Sequence, residues 1–237
     1  EALFKEPPPR DECDICMLTL PFEASHQKYQ SCCGKMLCAG CIHAANTAGN
    51  RRLCPFCRTP EAASDGETVE SMKKRAGGGD VIAIHQLGCL YNHGEAGLPQ
   101  DYNKANELWL RSGEIGYAVS YGNVADSYLN GEGVERDVKK ANHYNELAAM
   151  GGDVHARHNL GVDEMYAGNM SRAVKHFMIS AGAGLDESLK EIGESFSNGY
   201  ATKDDFEKAL RAHGEAVDEM KSDQRDAAAA FFQHRSS

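Results

Sequence analysis

From residue 79 onward, small and apolar side chains return at helical spacing. The segment Gly79-Asp-x-x-Ala83-x-x-x-Leu87-Gly88-x-x-Tyr91-x-x-Gly94 is matched by Gly152-Asp-x-x-Ala156-x-x-x-Leu160-Gly161. Gly116-Tyr-x-x-Ser120-x-x-x-Val124-x-x-x-Tyr128-x-x-Gly131 lies between them, and Gly184-x-x-x-Ser188-x-x-x-Ile192-Gly193-x-x-Phe196-x-x-Gly199 follows. The downstream halves agree as well, through Asp101-x-x-Lys104-Ala105, Asp137-x-x-Lys140-Ala141, Arg172-Ala173 and Asp205-x-x-Lys208-Ala209. The alanines of these second halves are 36, 32 and 36 residues apart. A period of this size, with two apolar helix faces per copy, predicts an all-α helix-turn-helix solenoid of about four repeats.

Small residues such as Ala83, Gly88, Ala141 and Gly161 would let helices approach closely, with aromatics filling the space between pairs. Glycines after each first helix supply positive φ. Asp101, Asp137 and Asp204 or Asp205 suit N-caps of the second helices. The third copy is shorter, running Tyr166-Ala-Gly168-Asn169-Met170 into Ser171-Arg172-Ala173, which predicts a tighter turn. Before the first copy, Val69-x-x-Met72-x-x-x-Ala76-Gly77 reads as a lone second helix capping the stack, and Gly77-Gly-Gly79 as its stop. The tail Ala227–Phe232 reads as a closing helix, because terminal repeats otherwise expose apolar surface.

The first quarter has a different character. Eight of the nine cysteines lie between Cys13 and Cys57, and only Cys89 lies outside. Residues 1–60 carry a net charge of +1, whereas the whole 237-residue chain carries −10. The expected organisation is an extended segment over 1–12, a cysteine module over 13–60, a polar linker over 61–67, repeats over 68–221 and a C-terminal helix or tail over 222–237. The acidic balance argues against general nucleic-acid binding, which needs a basic footprint. No apolar run reaches the roughly 18 residues that cross a bilayer. The chain begins at Glu1, which reads as a fragment or a processed chain.

The cysteines come as Cys13-x-x-Cys16, Cys32-Cys33, Cys38-x-x-Cys41 and Cys54-x-x-Cys57. A two-residue spacer lets one tight turn aim two thiolates at one tetrahedral ion, the geometry of structural zinc. A disulfide framework is the other use of an even cysteine count, but such spacing suits metal better. Four pairs make two sites, so two zinc ions are expected. With few apolar residues in this segment, the metal supplies the folding energy.

This order resembles the RING finger in an eight-cysteine form. The resemblance implies a small zinc-stabilised α+β cross-brace fold. It assigns Cys13, Cys16, Cys38 and Cys41 to one zinc, and Cys32, Cys33, Cys54 and Cys57 to the other. The directly adjacent Cys32-Cys33 departs from the usual spacing, and His26 or His43 stand as alternative ligands. The resemblance also implies an E3 ubiquitin-protein ligase that docks a ubiquitin-charged E2 enzyme through Ile15, Pro55 and Phe56. Arg58, after the final cysteine, would orient the E2–ubiquitin pair. The bulky helix residue of the family falls here at Ala45. A scaffold without ligase activity, or a zinc module reading a peptide or chromatin mark, are the alternatives.

The helical copies resemble the Sel1-like repeat, a relative of the tetratricopeptide repeat, with its aromatics at Trp109, Tyr144 and Phe177. That resemblance implies a protein client held on the first helices. The candidate ridge is Asn123, Asp126, His158, Asn159 and Asp163, whose acidity favours a basic client. His85, His93, His155 and His158 otherwise read as surface residues, and Cys89 as a small buried hydrophobe. Unpaired thiolates together with a RING favour a reducing compartment, cytoplasm or nucleus.

Overall fold

The structure is a computed structural model that describes residues 2–5, 7–49 and 52–233. It divides into two compact units, residues 10–108 with 219–237, and residues 1–9 with 109–218.

The cysteine-bearing unit starts with an antiparallel hairpin, β1 (Gln27–Gln30) and β2 (Lys35–Cys38), in which Gln27 faces Cys38 and Gln30 faces Lys35. Helix α1 (Ala39–Thr47) follows directly, with Cys38 as its N-cap. Ser64 caps α2 (Asp65–Gly77), and the Glu67 carboxylate returns to the Ala63 amide at 2.8 Å. This reciprocal capping places the helix start within the polar stretch. Helix α3 (Val81–His93) is capped by Asp80 and ends at Gly94, whose φ is +68°. Glycine meets this left-handed requirement without steric cost.

Tyr29 of β1 is buried together with Val69 and Ala76 of α2, and with Ala83, Ile84 and Leu87 of α3. The hairpin and the first helices therefore share one core. A polar cluster fixes the join. Tyr29 donates to Asp80 at 2.7 Å, and Arg75 lies 3.6 Å from the same carboxylate. Arg75 also donates to the carbonyls of Ser31 at 2.6 Å and Cys32 at 2.7 Å. Burial, followed by the Asp80 contact, pushes the Tyr29 phenol far above its ordinary value. Helix α11 (Asp223–Gln233) belongs to this unit and packs on α1. It is thus a helix as expected, but it covers the cysteine module instead of closing the repeats. The reason is steric: Gly40 of α1 leaves room for the α11 backbone, and an added Cβ would sit 2.7 Å from the Arg225 nitrogen.

Helix α4 (Tyr102–Glu114) is capped by Asp101, which accepts from the Lys104 amide at 2.9 Å. The second unit contains α5 (Ser120–Asn130), α6 (Val138–Met150), α7 (Val154–Tyr166), α8 (Met170–Gly182), α9 (Asp186–Ser197) and most of α10 (Lys203–Met220). Neighbours pack as helix pairs over buried small residues, among them Ala125, Ala141, Ala156, Ala173 and Ala209. Asp137 caps α6 as the sequence implied. On α10 the cap is Thr202, with Asp205 returning a bond to the Thr202 amide at 3.0 Å, so neither Asp204 nor Asp205 is the cap. The helix begins one turn earlier than the aspartates suggested because a threonine satisfies the same orphan amides.

The third copy has the predicted tight turn, with only Ala167–Asn169 between α7 and α8. Glu164 closes it, accepting from Arg172 at 2.5 Å and Asn169 at 2.8 Å. The displaced Tyr166 is left 84% exposed. His85 corrects another expectation. It is buried in α3 and not on the surface, and burial lowers its pKa to about 4, so it is neutral near pH 7. Its Nε2 lies 3.6 Å from the half-buried Cys89 thiol.

Close helix approach rests on particular glycines. A Cβ at Gly161 would meet the fully buried Phe177 ring at 2.6 Å. Gly161→Ala is therefore expected to destabilise the repeats by about 1–3 kcal/mol through overpacking. Urea unfolding followed by helical circular dichroism measures it.

Candidate metal centres

The cysteine module has little else for a core. Its buried cluster is Cys13, Leu20, Leu37, Cys38 and Cys41, with Met36 and Ile42 alongside. Three of these five are thiols, so the module is organised around sulfur.

The eight thiols form two groups, Cys13, Cys16, Cys38 and Cys41, and Cys32, Cys33, Cys54 and Cys57. Within each group all Sγ atoms lie within 4.8 Å of one another. The shortest separations are 3.8 Å for Cys16–Cys38, 3.8 Å for Cys33–Cys54 and 3.5 Å for Cys32–Cys57. These exceed a disulfide bond of about 2.05 Å and suit the edges of a tetrahedron with metal–sulfur bonds of about 2.3 Å. Each group could hold one metal ion.

Local backbone explains how neighbours in sequence reach one ion. Met17, Gly34 and Arg58, each directly after the second cysteine of a pair, have φ of 57°, 74° and 62°. This left-handed step turns the chain back, so that Met17 donates to the Cys13 carbonyl at 2.9 Å and Arg58 to the Cys54 carbonyl at 3.0 Å. Cys32 and Cys33 sit in the hairpin turn, where the Cys33 and Gly34 amides both donate to Gln30. Arg75 pins the same turn through Ser31 and Cys32. Both adjacent thiols therefore reach the second group, and no histidine is needed. His26 pairs with Glu23 at 3.4 Å, and His43 packs 4.9 Å from the Phe231 ring.

The electrostatics of the bare groups call for a cation. The hydrogen bond with Cys38 lowers Cys13 to about 4, and burial works against it. Burial pushes Cys41 up to about 12 and Cys33 to about 11, while the hydrogen bond with Thr59 lowers Cys57 to about 6. A divalent cation at either group would favour the thiolate form of its ligands and release their protons.

Residues that the sequence did not single out surround the first group. Arg225 of α11 donates to the Met220 and Thr19 carbonyls, each at 2.7 Å, and reaches the Cys16 sulfur at 3.7 Å. Cys41 donates to Gln224 at 3.8 Å. No periodicity signals contacts across such a sequence separation. Lys35 is a second such residue, 2.7 Å from Asp14 and 5.5 Å from the Phe56 ring centre. It links the first and last cysteine loops. Ile15 is 41% and Phe56 44% exposed, Pro55 is half-buried, and Arg58 is exposed. Ala45 is half-buried on α1.

The helical ridge residues lie on first helices, Asn123 and Asp126 on α5, and His158, Asn159 and Asp163 on α7. Asp126, Asn159 and Asp163 are exposed, and Asn123 is half-buried. His158 is engaged internally: its Nδ1 is 2.8 Å from Ser188 and its ring 5.4 Å from that of Phe177. Among the described residues, no helix is long and apolar enough to cross a membrane.

Comparison with known proteins bears on the helices. The Sel1 repeat family matches residues 81–117 and 118–153. No RING family model matches the chain. A Sel1 repeat protein from Oxalobacter formigenes superposes with a TM-score of 0.59 at 24% identity, covering 76% of this chain and 71% of that one. The c5321 protective antigen of uropathogenic Escherichia coli, which displays the same repeat fold, gives a TM-score of 0.54 at 28% identity over 65% of this chain and 33% of its own. In sequence, the chain is 30% identical over 111 residues to the ERAD-associated E3 ubiquitin-protein ligase component HRD3B of Arabidopsis thaliana. That match covers 46% of this chain and spans only 17% of HRD3B. The residues matched by the Sel1 repeat model, 81–153, lie within an all-α repeat region that follows a small cysteine-rich module with a two-stranded hairpin.

Proposed function

We propose that the chain is a RING-type E3 ubiquitin ligase whose cysteine module carries two zinc ions and docks a ubiquitin-charged E2, while the Sel1 repeats hold a protein client. The observation that carries this reading is the crosswise grouping of the cysteine pairs, first with third and second with fourth. A linear arrangement would have joined neighbours in sequence. Cross-bracing brings the Ile15 and Phe56 loops to one side, where the Lys35 ammonium touches both loops. Two exposed apolar side chains on metal-held loops make a small docking shelf. Arg58 is exposed, with its backbone amide donating to the Cys54 carbonyl at 3.0 Å.

The chemistry belongs to the partner enzyme. The module's task is to hold the E2 and ubiquitin so that the thioester meets an attacking lysine amine, a gain from orientation. The planar Arg58 guanidinium can donate to both proteins at once, which a lysine ammonium does less well. On the client side, the exposed Asp126, Asn159 and Asp163, with Asn123 and His158, favour a basic segment. Thiolate-held zinc fits a reducing compartment, cytoplasm or nucleus. A second reading is a non-catalytic adaptor within a larger ligase. It is favoured by the small Ala45 on α1 and by the partial likeness to a protein named as an E3 ligase component.

Two zinc equivalents per chain are expected by elemental analysis, falling to about one in Cys33→Ser. Protons compete for the thiolates, so zinc retention should weaken as the pH falls from about 7 toward 5, with chelator competition as the readout. Arg225→Gln should speed zinc loss from the first group and leave the second unchanged. For the ligase reading, the chain should accelerate discharge of at least one member of a panel of ubiquitin-charged E2 enzymes. Arg58→Ala should slow that discharge about tenfold or more with zinc content unchanged, a loss worth about 1.4 kcal/mol of orientation. Binding of an E2 with no discharge by any of the panel would favour the adaptor.

A further inference from the structure

Residues 3, 4 and 8 pack within the second unit, against α6, α7 and α8. Leu3 lies against Ala148, Ala149, Ala156 and Leu160. The Phe4 ring sits 4.7 Å from that of His176, with the Arg172 guanidinium 5.3 Å and the Lys175 ammonium 5.5 Å from its centre. Arg157 donates to the Leu3 carbonyl and, at 2.6 Å, to that of Ala149. Pro8 rests over Gly152, where an added Cβ would meet its ring at 3.4 Å. These contacts come from α6, α7 and α8, so the seat is built largely on second helices.

We infer that this seat is a binding site for an extended segment of a client protein, one with adjacent aliphatic and aromatic side chains and an acidic neighbour, and that Leu3, Phe4 and Pro8 occupy it as an internal stand-in. The mode of contact is that of peptide recognition: a main-chain carbonyl is read by an arginine, Leu3 enters an apolar seat, and the Phe4 ring lies among His176, Arg172 and Lys175. Two features show that the resident segment fits incompletely. His176 is fully buried, yet both its ring nitrogens lack a hydrogen-bond partner among the described residues. Buried polar atoms are normally paired, so an occupant with a polar group beside its aromatic side chain would satisfy them better. Arg157, only 2% exposed, forms no ion pair among the described residues. Its charge, with that of Lys175 5.5 Å from the Phe4 ring, favours a carboxylate in the occupant. The inference concerns the repeats alone and stands apart from the ligase reading.

The test uses the full chain carrying Leu3→Ala and Phe4→Ala, which vacates the seat. The probe is a fluorescein-labelled peptide with the sequence of residues 1–9. The variant should bind this probe at least about tenfold more tightly than the unchanged chain, where the tethered segment competes at high effective concentration. A probe with both Leu and Phe replaced by alanine should bind neither. A probe carrying Lys5→Glu should bind the variant more tightly than the parent probe. Adding Lys175→Glu, at an exposed position, should weaken binding severalfold. Equal probe binding by the variant and the unchanged chain overturns the inference. Loss of helical circular dichroism in the variant also does, since residues 2–9 would then be a structural element. A dimer of the unchanged chain that dissociates on the double substitution overturns it in favour of exchange between copies.

Discussion

Everything in the cysteine-bearing unit depends on drawing eight sulfurs into two groups from loops that alternate along the chain. Each group takes one pair from before the hairpin or its turn and another from beyond it. The buried cluster contains only Leu20 and Leu37 besides cysteines, too little apolar surface to hold these loops by itself. Each group could hold one metal ion, and binding there would be coupled to folding of the module. The left-handed residues Met17, Gly34 and Arg58 mark where the chain bends back to make it.

The module is also fastened to the helices that follow it. Asp80 has three roles: it caps α3, accepts from Tyr29 and pairs with Arg75. Arg75 in turn holds the turn that presents Cys32 and Cys33. One carboxylate thus couples the first repeat helix to the second thiol group. A flexible tether would leave the module free to reorient. This cluster makes the hairpin and the first two repeat-like helices a single packed body with Tyr29 in its core.

Features with a short sequence period were legible in advance. The repeats, their glycine stops, the Asp101 and Asp137 caps and the tight third turn follow from spacing and local backbone chemistry. So does the division of the cysteines into two groups, through the family resemblance. What stayed hidden depends on partners far away in sequence. Arg75, Arg225 and Lys35 are ordinary surface-type residues until the fold brings sulfur, carbonyl or aromatic atoms to them. His85 and His176 are polar residues inside helix packing, and polarity alone marked the first as exposed. Thr202 outcompeted two neighbouring aspartates as a cap because its position in the turn, not its charge, decides the bond.

The return of α11 to α1 sets an order of assembly during synthesis. Gln224 meets Cys41 across 183 residues of sequence, and Arg225 reaches the loop after Cys16 across 209. On the ribosome, the thiols are exposed and able to take a metal long before the helix that covers α1 is made. The metal can enter while the first group is open, and the last helix then closes over it. A chain that stopped before Asp223 would keep its ligands and lose the cover. Such a product would carry a complete coordination set open on the side that α11 covers, and any ion held there would exchange more readily.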